Sequence, residues 1–371
     1  MEQVSVHSAG VRLAGAPLPV VGTARVYTCG ITPYDVTHLG HAAAFVWSDV
    51  LTAVLQAAGA EVVTSRNVTD VDDVLTRAAD ARGRHYDEFA LAQEYVFGRD
   101  MQALAVHRPT AEPRARYFIG HVQQLAAALL AAGAAYEREG HVFFRGAQAA
   151  AGLDRAEALA RSAEFGDAPE DPLRDDPFDV PVWRPSGEQD PAWPSPWGWG
   201  RPGWHAECAA MAAGTLGAGL DVLVGGEDLA FPHHAMQAAM AEAATGVTPF
   251  ARGVMHVGAV RQDGAKMAKS RGNLTLVSDL LAQHRPAAVR LLLVDRRWSS
   301  GWDFDAGLLD AAEQRLDRLY AAAGRSGGPD SAEEEITAAL LSDLDVPRAL
   351  AAAEEAGGSA ARLLIATLAL G

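Results

Sequence analysis

A short apolar run from Arg25 to Thr28 predicts a strand that enters the loop Cys29-Gly30-Ile31-Thr32-Pro33-Tyr34-Asp35. Helical spacing follows from about His38 to Ala58, closed by Gly59, and a second strand from Glu61 to Arg66 comes at once. Strand, helix and strand with short connections make a parallel crossover unit, whose ligand site falls at the C-terminal ends of the strands. The loop from Cys29 to Asp35 is expected there. A further helix is predicted from Pro113 to Ala132, ending at Gly133, and then a hairpin whose second strand is His141 to Arg145. The strand pattern returns at Leu220 to Val224, with Gly225-Gly226 as a tight turn, a helix from about Phe231 to Thr245 and a strand near Val254 to Val257. These complete the same α/β sheet. After Ser270 the chain is Leu- and Ala-rich at helical spacing to its end, interrupted by Gly327-Gly328-Pro329, which predicts a helical C-terminal part.

One stretch breaks both patterns. Gly166 to Pro202 holds nine prolines and four of the eight tryptophans (Trp183, Trp193, Trp197, Trp199), too aromatic for a flexible linker and too Pro-rich for regular structure. It reads as an ordered insertion across the face of the catalytic domain, its tryptophans either plain hydrophobic cover or a lid over a substrate. The resulting division is a Rossmann-like catalytic domain over residues 1–257, interrupted at about 115–200, and a loop and helical part over 258–371.

With 371 residues, 49% of them hydrophobic, the chain is able to bury a sizeable core. No apolar run reaches the roughly 18 to 20 residues of a membrane span, and the start lacks the features of a signal peptide. A cytoplasmic location with no membrane partner is therefore expected. In a reducing compartment the two cysteines, Cys29 and Cys208, are free thiols or metal ligands rather than a disulfide framework. A net charge of −16 argues against a broad nucleic-acid footprint and leaves room only for a local basic patch. The 31 basic residues are 29 arginines and two lysines, Lys266 and Lys269, both within four residues of one loop. Either an arginine-biased genome left the pair by chance, or something there requires a compact ammonium rather than a guanidinium fork.

Three groups of residues carry candidate chemistry. His38-Leu39-Gly40-His41 opens a helix, so its histidines share one face beside the backbone N–H groups and the positive end of the helix dipole, an arrangement suited to a triphosphate. Histidines at this spacing are also ordinary surface or core residues. Lys266-Met267-Ala268-Lys269-Ser270, followed by Arg271-Gly272-Asn273, offers two mobile ammonium groups to the charge that builds on departing pyrophosphate; the bland alternative is a solvated loop. Cys29, Cys208 and His233 each stand at a strand end or helix start of one rim, and they are ligand types that zinc prefers, with a fourth position left open. Buried thiols are also common as small hydrophobes. His234 is an alternative ligand, or a residue that supports one. Asp70, Asp72 and Asp73 form a carboxylate cluster, read as a magnesium site or, more simply, as a helix cap.

At this point the residues show a resemblance that covers most of the chain. Tyr27-Thr28-Cys29-Gly30-Ile31-Thr32-Pro33-Tyr34-Asp35, the HLGH at 38–41, Gly200-Arg201-Pro202-Gly203-Trp204-His205-Ala206-Glu207-Cys208, Gly225-Gly226-Glu227-Asp228-Leu229 with Phe231-Pro232-His233-His234, and KMAKS at 266–270 resemble the class I cysteinyl-tRNA synthetases in type and order. The CGITPYD loop, Asn67-Val68-Thr69-Asp70-Val71-Asp72-Asp73 and Trp193-Pro194-Ser195-Pro196-Trp197 are more similar to the mycothiol-pathway ligases that join L-cysteine to glucosaminyl-inositol. About 100 residues follow KMAKS, too few for an anticodon-binding domain, so no tRNA partner is expected. The resemblance implies a class I synthetase-like Rossmann (HUP-type) parallel sheet and ATP-dependent formation of cysteinyl-adenylate, with magnesium accompanying the ATP. It implies one zinc ion held by Cys29, Cys208 and His233 that grips the substrate thiolate and excludes serine. Cys29, Gly30, Ile31, Thr32, Asn67, Val68, Thr69, Trp204, Gly226, Glu227, Asp228 and Val260 match the adenylate site. His38, His41, Lys266 and Lys269 match the groups that stabilise the transition state of activation.

Departures from the pattern sharpen the alternatives. Gln237 stands where the tRNA synthetases place a fourth zinc ligand, Ala268 replaces the serine of KMSKS, and Ala44 replaces a threonine beside the adenylate. The ligases' acidic-Arg-Gly-Gly-Asp-Pro segment corresponds here to Glu164-Phe165-Gly166-Asp167-Ala168-Pro169. The rival expectations are a paralogue with another amine acceptor, a truncated tRNA synthetase, and a catalytically silent protein.

Overall fold

In the strand Thr23–Ile31 successive side chains point to opposite faces, so Ala24 and Val26 enter one core while Tyr27 and Cys29 enter another. The computed structural model describes residues 10–34, 36–188, 190–267, 271–327 and 330–371. Asp35, the segment Ala268, Lys269 and Ser270, and the Gly328-Pro329 break lie outside the described residues. Within them the central sheet has four parallel strands in the order Ala251–Val257, Leu220–Gly226, Thr23–Ile31, Glu61–Val68. The order reverses between the middle two, the switch point at which a parallel sheet opens a ligand crevice.

On one face helix Leu39–Ala57 buries Phe45, Trp47, Val50, Leu51, Val54 and Leu55, in one core with Val26, Val222 and Val224. The helices Pro286–Val294, Ala306–Ala323, Asp330–Leu341, Val346–Ala356 and Gly358–Thr367 extend this core behind it. On the other face helix Trp204–Leu216 sets Cys208, Met211 and Ala212, at i, i+3 and i+4, against Tyr27, Cys29 and Leu223. Both thiols therefore share a face, because a period of two and a period of 3.6 meet there.

Several elements differ from the sequence expectation. Cys29-Gly30-Ile31 ends the first strand rather than forming a loop, past a register shift between Thr28 and Ile31. Gly225-Gly226 continues its strand beside His256 and Val257 and does not turn. Regular helix starts at Ile119 rather than Pro113, and at Ala235 rather than Phe231, each after a separate turn. Helix Tyr86–Ala103 was not anticipated: Phe89, Ala90, Phe97 and Met101 are its buried apolar positions, too few to print a clear stripe over 18 residues.

The Pro-rich stretch is more regular than its composition suggests. It supplies two strands, Val180–Pro185 and Gly200–Pro202, to an antiparallel sheet with Ala135–Arg138 and His141–Phe144. The three prolines within those strands, Pro181, Pro185 and Pro202, sit beside a register shift or at a strand end, where a missing N–H is tolerated, and the other six lie between strands. Trp183 is fully buried with Val142, Phe144 and Val180 in a core that this sheet shares with helices Trp204–Leu216 and Ala235–Thr245, while Trp199 is exposed. Trp183 is thus hydrophobic core. No helix among the described residues is long and apolar enough to cross a membrane.

Candidate active site

The loops at the strand ends begin where the first strand loses its register. Gly30 is required there: a Cβ on it would lie 1.8 Å from the Asn67 carbonyl oxygen. The close approach lets Gly30 N–H donate to Asn67 Oδ1 at 2.8 Å, Asn67 Nδ2 donate to Thr69 Oγ1 at 2.9 Å, and Thr69 N–H donate to the Ile31 carbonyl at 2.8 Å. Ile31 pairs with Val68 across the strands. The structure therefore joins Gly30, Ile31, Asn67, Val68 and Thr69 in one rim, with Thr32 just beyond it.

Below this rim one ligand atom from each of Cys29, Cys208 and His233 lies within 4.8 Å of the others, all three side chains buried. Burial first, then the hydrogen bond and charge of Cys208, push the Cys29 thiol well up. A divalent cation reverses that preference, and two sulfurs with one imidazole suit a tetrahedral ion with one open position. This group is able to hold a metal ion. Around it Trp204 stacks on His233 with ring centroids 4.0 Å apart, and His205 Nδ1 meets His233 Nδ1 at 2.9 Å. His234 is outside this group of three but touches one of its thiols: its Nε2 lies 3.2 Å from Cys29 Sγ and its Nδ1 lies 2.9 Å from His256 Nε2. Gln237 donates through Nε2 to the Cys208 carbonyl at 3.3 Å and lies 3.7 Å from Cys29 Sγ through Oε1. Burial, then neighbouring histidines, hold His233 and His234 well below the usual imidazole range.

The helix start on the opposite side differs from its expected form. His38 is the N-cap, and its Nδ1 accepts from the Gly40 and His41 N–H groups at 3.1 and 3.3 Å, so the ring rather than a phosphate occupies those two donors. The His38 and His41 rings stack at 3.7 Å. Burial, then His41, then Lys266 lower His38 from 6.5 to about 3, which leaves a neutral ring whose remaining nitrogen carries the proton. The segment after the lysine loop is sewn to this start: Leu39 N–H donates to the Thr275 carbonyl at 2.9 Å, and Val277 N–H to the Thr37 carbonyl at 3.0 Å. Lys266 pairs with Asp228 at 2.7 Å, and Val260 is buried beside Gly40. Gly226 ends its strand, and Glu227 and Asp228 form the single turn after it.

The aspartate cluster does not converge. Asp72 caps helix Asp73–Asp80 through Val74 N–H at 2.7 Å, Asp70 is buried between Arg114 and Arg116, and Asp73 pairs with Arg184 and Arg201. The helix-cap reading holds. Ala44 is a buried helix residue in the main core. Sequence reasoning passed over His205 and His256 as site residues. His205 is three residues before Cys208, on the same helix face, and His256 lies at a strand end opposite Gly225, so both positions carried a signal.

A parallel sheet whose strand ends carry these loops, with a histidine-capped helix at its switch point, is built as a class I aminoacyl-tRNA synthetase catalytic domain, and this chain is of that class. Residues 19–314 match the family described as tRNA synthetases class I (C) catalytic domain. Proteins named L-cysteine:1D-myo-inositol 2-amino-2-deoxy-alpha-D-glucopyranoside ligase are similar along nearly the whole chain. That of Parafrankia sp. (strain EAN1pec) is 44% identical over 340 residues, covering 90% of this chain and 77% of its own. That of Thermobifida fusca (strain YX) is 42% identical over 347 residues, covering 90% and 83%. Among solved structures, a Mycobacterium tuberculosis methionyl-tRNA synthetase bound by methionyl-adenylate shares the fold, with TM-score 0.65 and 16% identity over 93% of this chain and 84% of that one. The chain belongs to the class I (C) synthetase family, on the branch of these cysteine ligases.

Proposed function

We propose that this chain activates L-cysteine with ATP to cysteinyl-adenylate and transfers the cysteinyl group to the amine of glucosaminyl-inositol, releasing AMP and pyrophosphate. The observation that carries the reading is the meeting of Cys29, Cys208 and His233 within 4.8 Å below the substrate rim, in a chain 40–44% identical to ligases named for this reaction. These three residues would hold one zinc ion, which would supply Lewis-acid chemistry favouring the thiolate form of the substrate sulfur. The harder, less acidic oxygen of serine gains less from such a site.

The remaining residues position and neutralise. Gly30, Ile31, Thr32, Asn67, Val68 and Thr69 on one strand end and Gly226, Glu227 and Asp228 on the other frame the adenylate, with Trp204 and Val260 closing its sides. His38 acts as a neutral hydrogen-bond donor to the phosphates, since burial keeps it uncharged at neutral pH, and His41, stacked on it, adds a second donor. Lys266 leaves Asp228 to meet pyrophosphate together with Lys269, and magnesium accompanies the ATP. The catalytic unit spans 1–257 with its insertion at about 115–200, the lysine loop and helical part span 258–371, and the enzyme works in the cytoplasm without tRNA.

A second reading keeps the chemistry and changes the acceptor. Phe165 stands where the ligases carry arginine, stacking on Trp204 at 6.0 Å and lying 5.9 Å below the Lys266 ammonium, so this wall is aromatic. Pyrophosphate exchange with cysteine or serine, followed by mass spectrometry after adding glucosaminyl-inositol, separates the readings. Cysteine-specific exchange with a cysteinyl-glucosaminyl-inositol product is expected. Exchange without that product moves the reaction to another amine, and no exchange refutes activation.

A further inference from the structure

A short segment of the insertion reaches His233 by two routes. Helix Arg155–Glu164 ends in a Schellman turn: Gly166, at φ +86°, donates to the Ala163 carbonyl at 3.1 Å and Asp167 N–H donates to the Ser162 carbonyl at 3.0 Å. That turn fixes the residues on either side of Gly166. Phe165 lies parallel to Trp204, which stacks on His233. Asp167 Oδ2 lies 3.3 Å from His205 Nε2, and His205 Nδ1 lies 2.9 Å from His233 Nδ1. The His205 side chain is 3% exposed and that of Asp167 10%, so water does not substitute for either contact.

The His205 and His233 rings meet nitrogen to nitrogen, a contact that holds one proton, and that proton has two arrangements. In the first, His205 donates through Nδ1, which leaves a bare Nε2 lone pair facing the Asp167 carboxylate and a protonated Nε2 on His233. In the second, His205 donates through Nε2 to the carboxylate and accepts at Nδ1 from His233, so His233 Nε2 is bare. A carboxylate accepts and does not donate, so it selects the second arrangement. We infer that Asp167 is a positioning residue that sets, through His205, the tautomer in which His233 presents its Nε2 lone pair to a metal ion beside Cys29 and Cys208. The inference rests on the metal-binding reading above, although its proton arrangement exists without the metal. It assigns a task to an aspartate that touches neither thiol and lies in the insertion, 41 residues before Cys208. Carboxylates that orient metal-binding histidines typically change metal affinity about 10- to 100-fold.

The test uses the full chain and two variants, Asp167→Ala and, as a control on the same turn, Glu164→Ala, whose side chain is exposed. Nitrogen-15 NMR of the histidines in metal-free protein reads the tautomers directly. Protonated Nε2 on His205 with protonated Nδ1 on His233, both lost or mixed in Asp167→Ala and kept in Glu164→Ala, is the expected result. Chelator competition should then show zinc held about 10- to 100-fold more weakly by Asp167→Ala, with native affinity in Glu164→Ala. A bare Nε2 on His205 in the native protein, or tautomers and zinc affinity unchanged in Asp167→Ala, would overturn the inference. Substituted cobalt tests the parent reading separately: without a thiolate-to-cobalt charge-transfer band the metal assignment fails, while the tautomer measurement still decides the role of Asp167.

Discussion

At the scale of single residues, the site is set by what burial does to ionisable groups. Cys29 and Cys208 are buried, and the Cys29 thiol resists ionisation, so a thiolate pair at neutral pH requires a cation. Cys208→Ser should therefore remove bound zinc and cysteine-dependent pyrophosphate exchange together; metal analysis and exchange assays check this, and undiminished exchange would refute the thiolate-gripping role. Buried imidazoles have a different consequence. His38 is depressed from 6.5 to about 3, and His233 and His234 also lie well below the usual range. Between those values the unfolded chain binds protons that the folded chain refuses, so folding stability is greatest above pH 6.5 and falls as the pH is lowered towards 3. Urea titrations of chelator-treated protein across that window should show a falling midpoint; a flat profile would contradict the neutral-ring assignment.

At the scale of elements, the insertion is a folded unit with its own sheet. Trp183 is its anchor, fully buried between Val142, Val180 and the Trp197 ring. Trp183→Ala should cost about 3–5 kcal/mol, the usual range for emptying a buried aromatic site. Differential hydrogen exchange should place the lost protection in Ala135–Arg138, His141–Phe144 and Val180–Pro185, with the central sheet less affected. Loss spread evenly over both sheets would show that the insertion sheet does not open independently of the central one. This element was hard to read from sequence because proline content signals irregularity, whereas Pro181, Pro185 and Pro202 occupy positions that a strand tolerates and the other prolines fall between strands.

At the scale of the whole molecule, Arg290 links the parts. Its guanidinium, 1% exposed, donates to the Leu104 and Leu368 carbonyls and pairs with Asp49 of helix Leu39–Ala57. Asp49 also accepts from the His107 backbone and ring. One residue of helix Pro286–Val294 thus ties the chain's last described helix to the helix that His38 caps. Arg290→Met should cost about 3–5 kcal/mol, because it leaves the Asp49 carboxylate buried with less compensation. Adding Asp49→Leu should recover part of that loss in urea denaturation; an unchanged midpoint in the single variant would show that the pair contributes nothing net.

Much of this organisation is local and was open to sequence reading. The apolar run between Arg25 and Thr28, helical spacing after His38 and the return of strand pattern at Leu220 follow from burial of one face or two, a property written in consecutive residues. The confinement of lysine to residues 266 and 269, and the types Cys29, Cys208 and His233, are likewise visible without coordinates. Distances between those residues are not local. Cys29 and Cys208 meet because a strand face and a helix stripe happen to be the two sides of one core, and His233 joins them only through the turn before Ala235–Thr245. The N-cap role of His38, the pairing of Lys266 with Asp228 and the line from Asp167 through His205 to His233 each depend on a side-chain direction set by packing. The sequence alone determined the elements, the class of sheet and the candidate ligands; tertiary structure alone decided which atoms face one another, because hydrogen bonds and metal sites require contact across elements that no periodicity along the chain records.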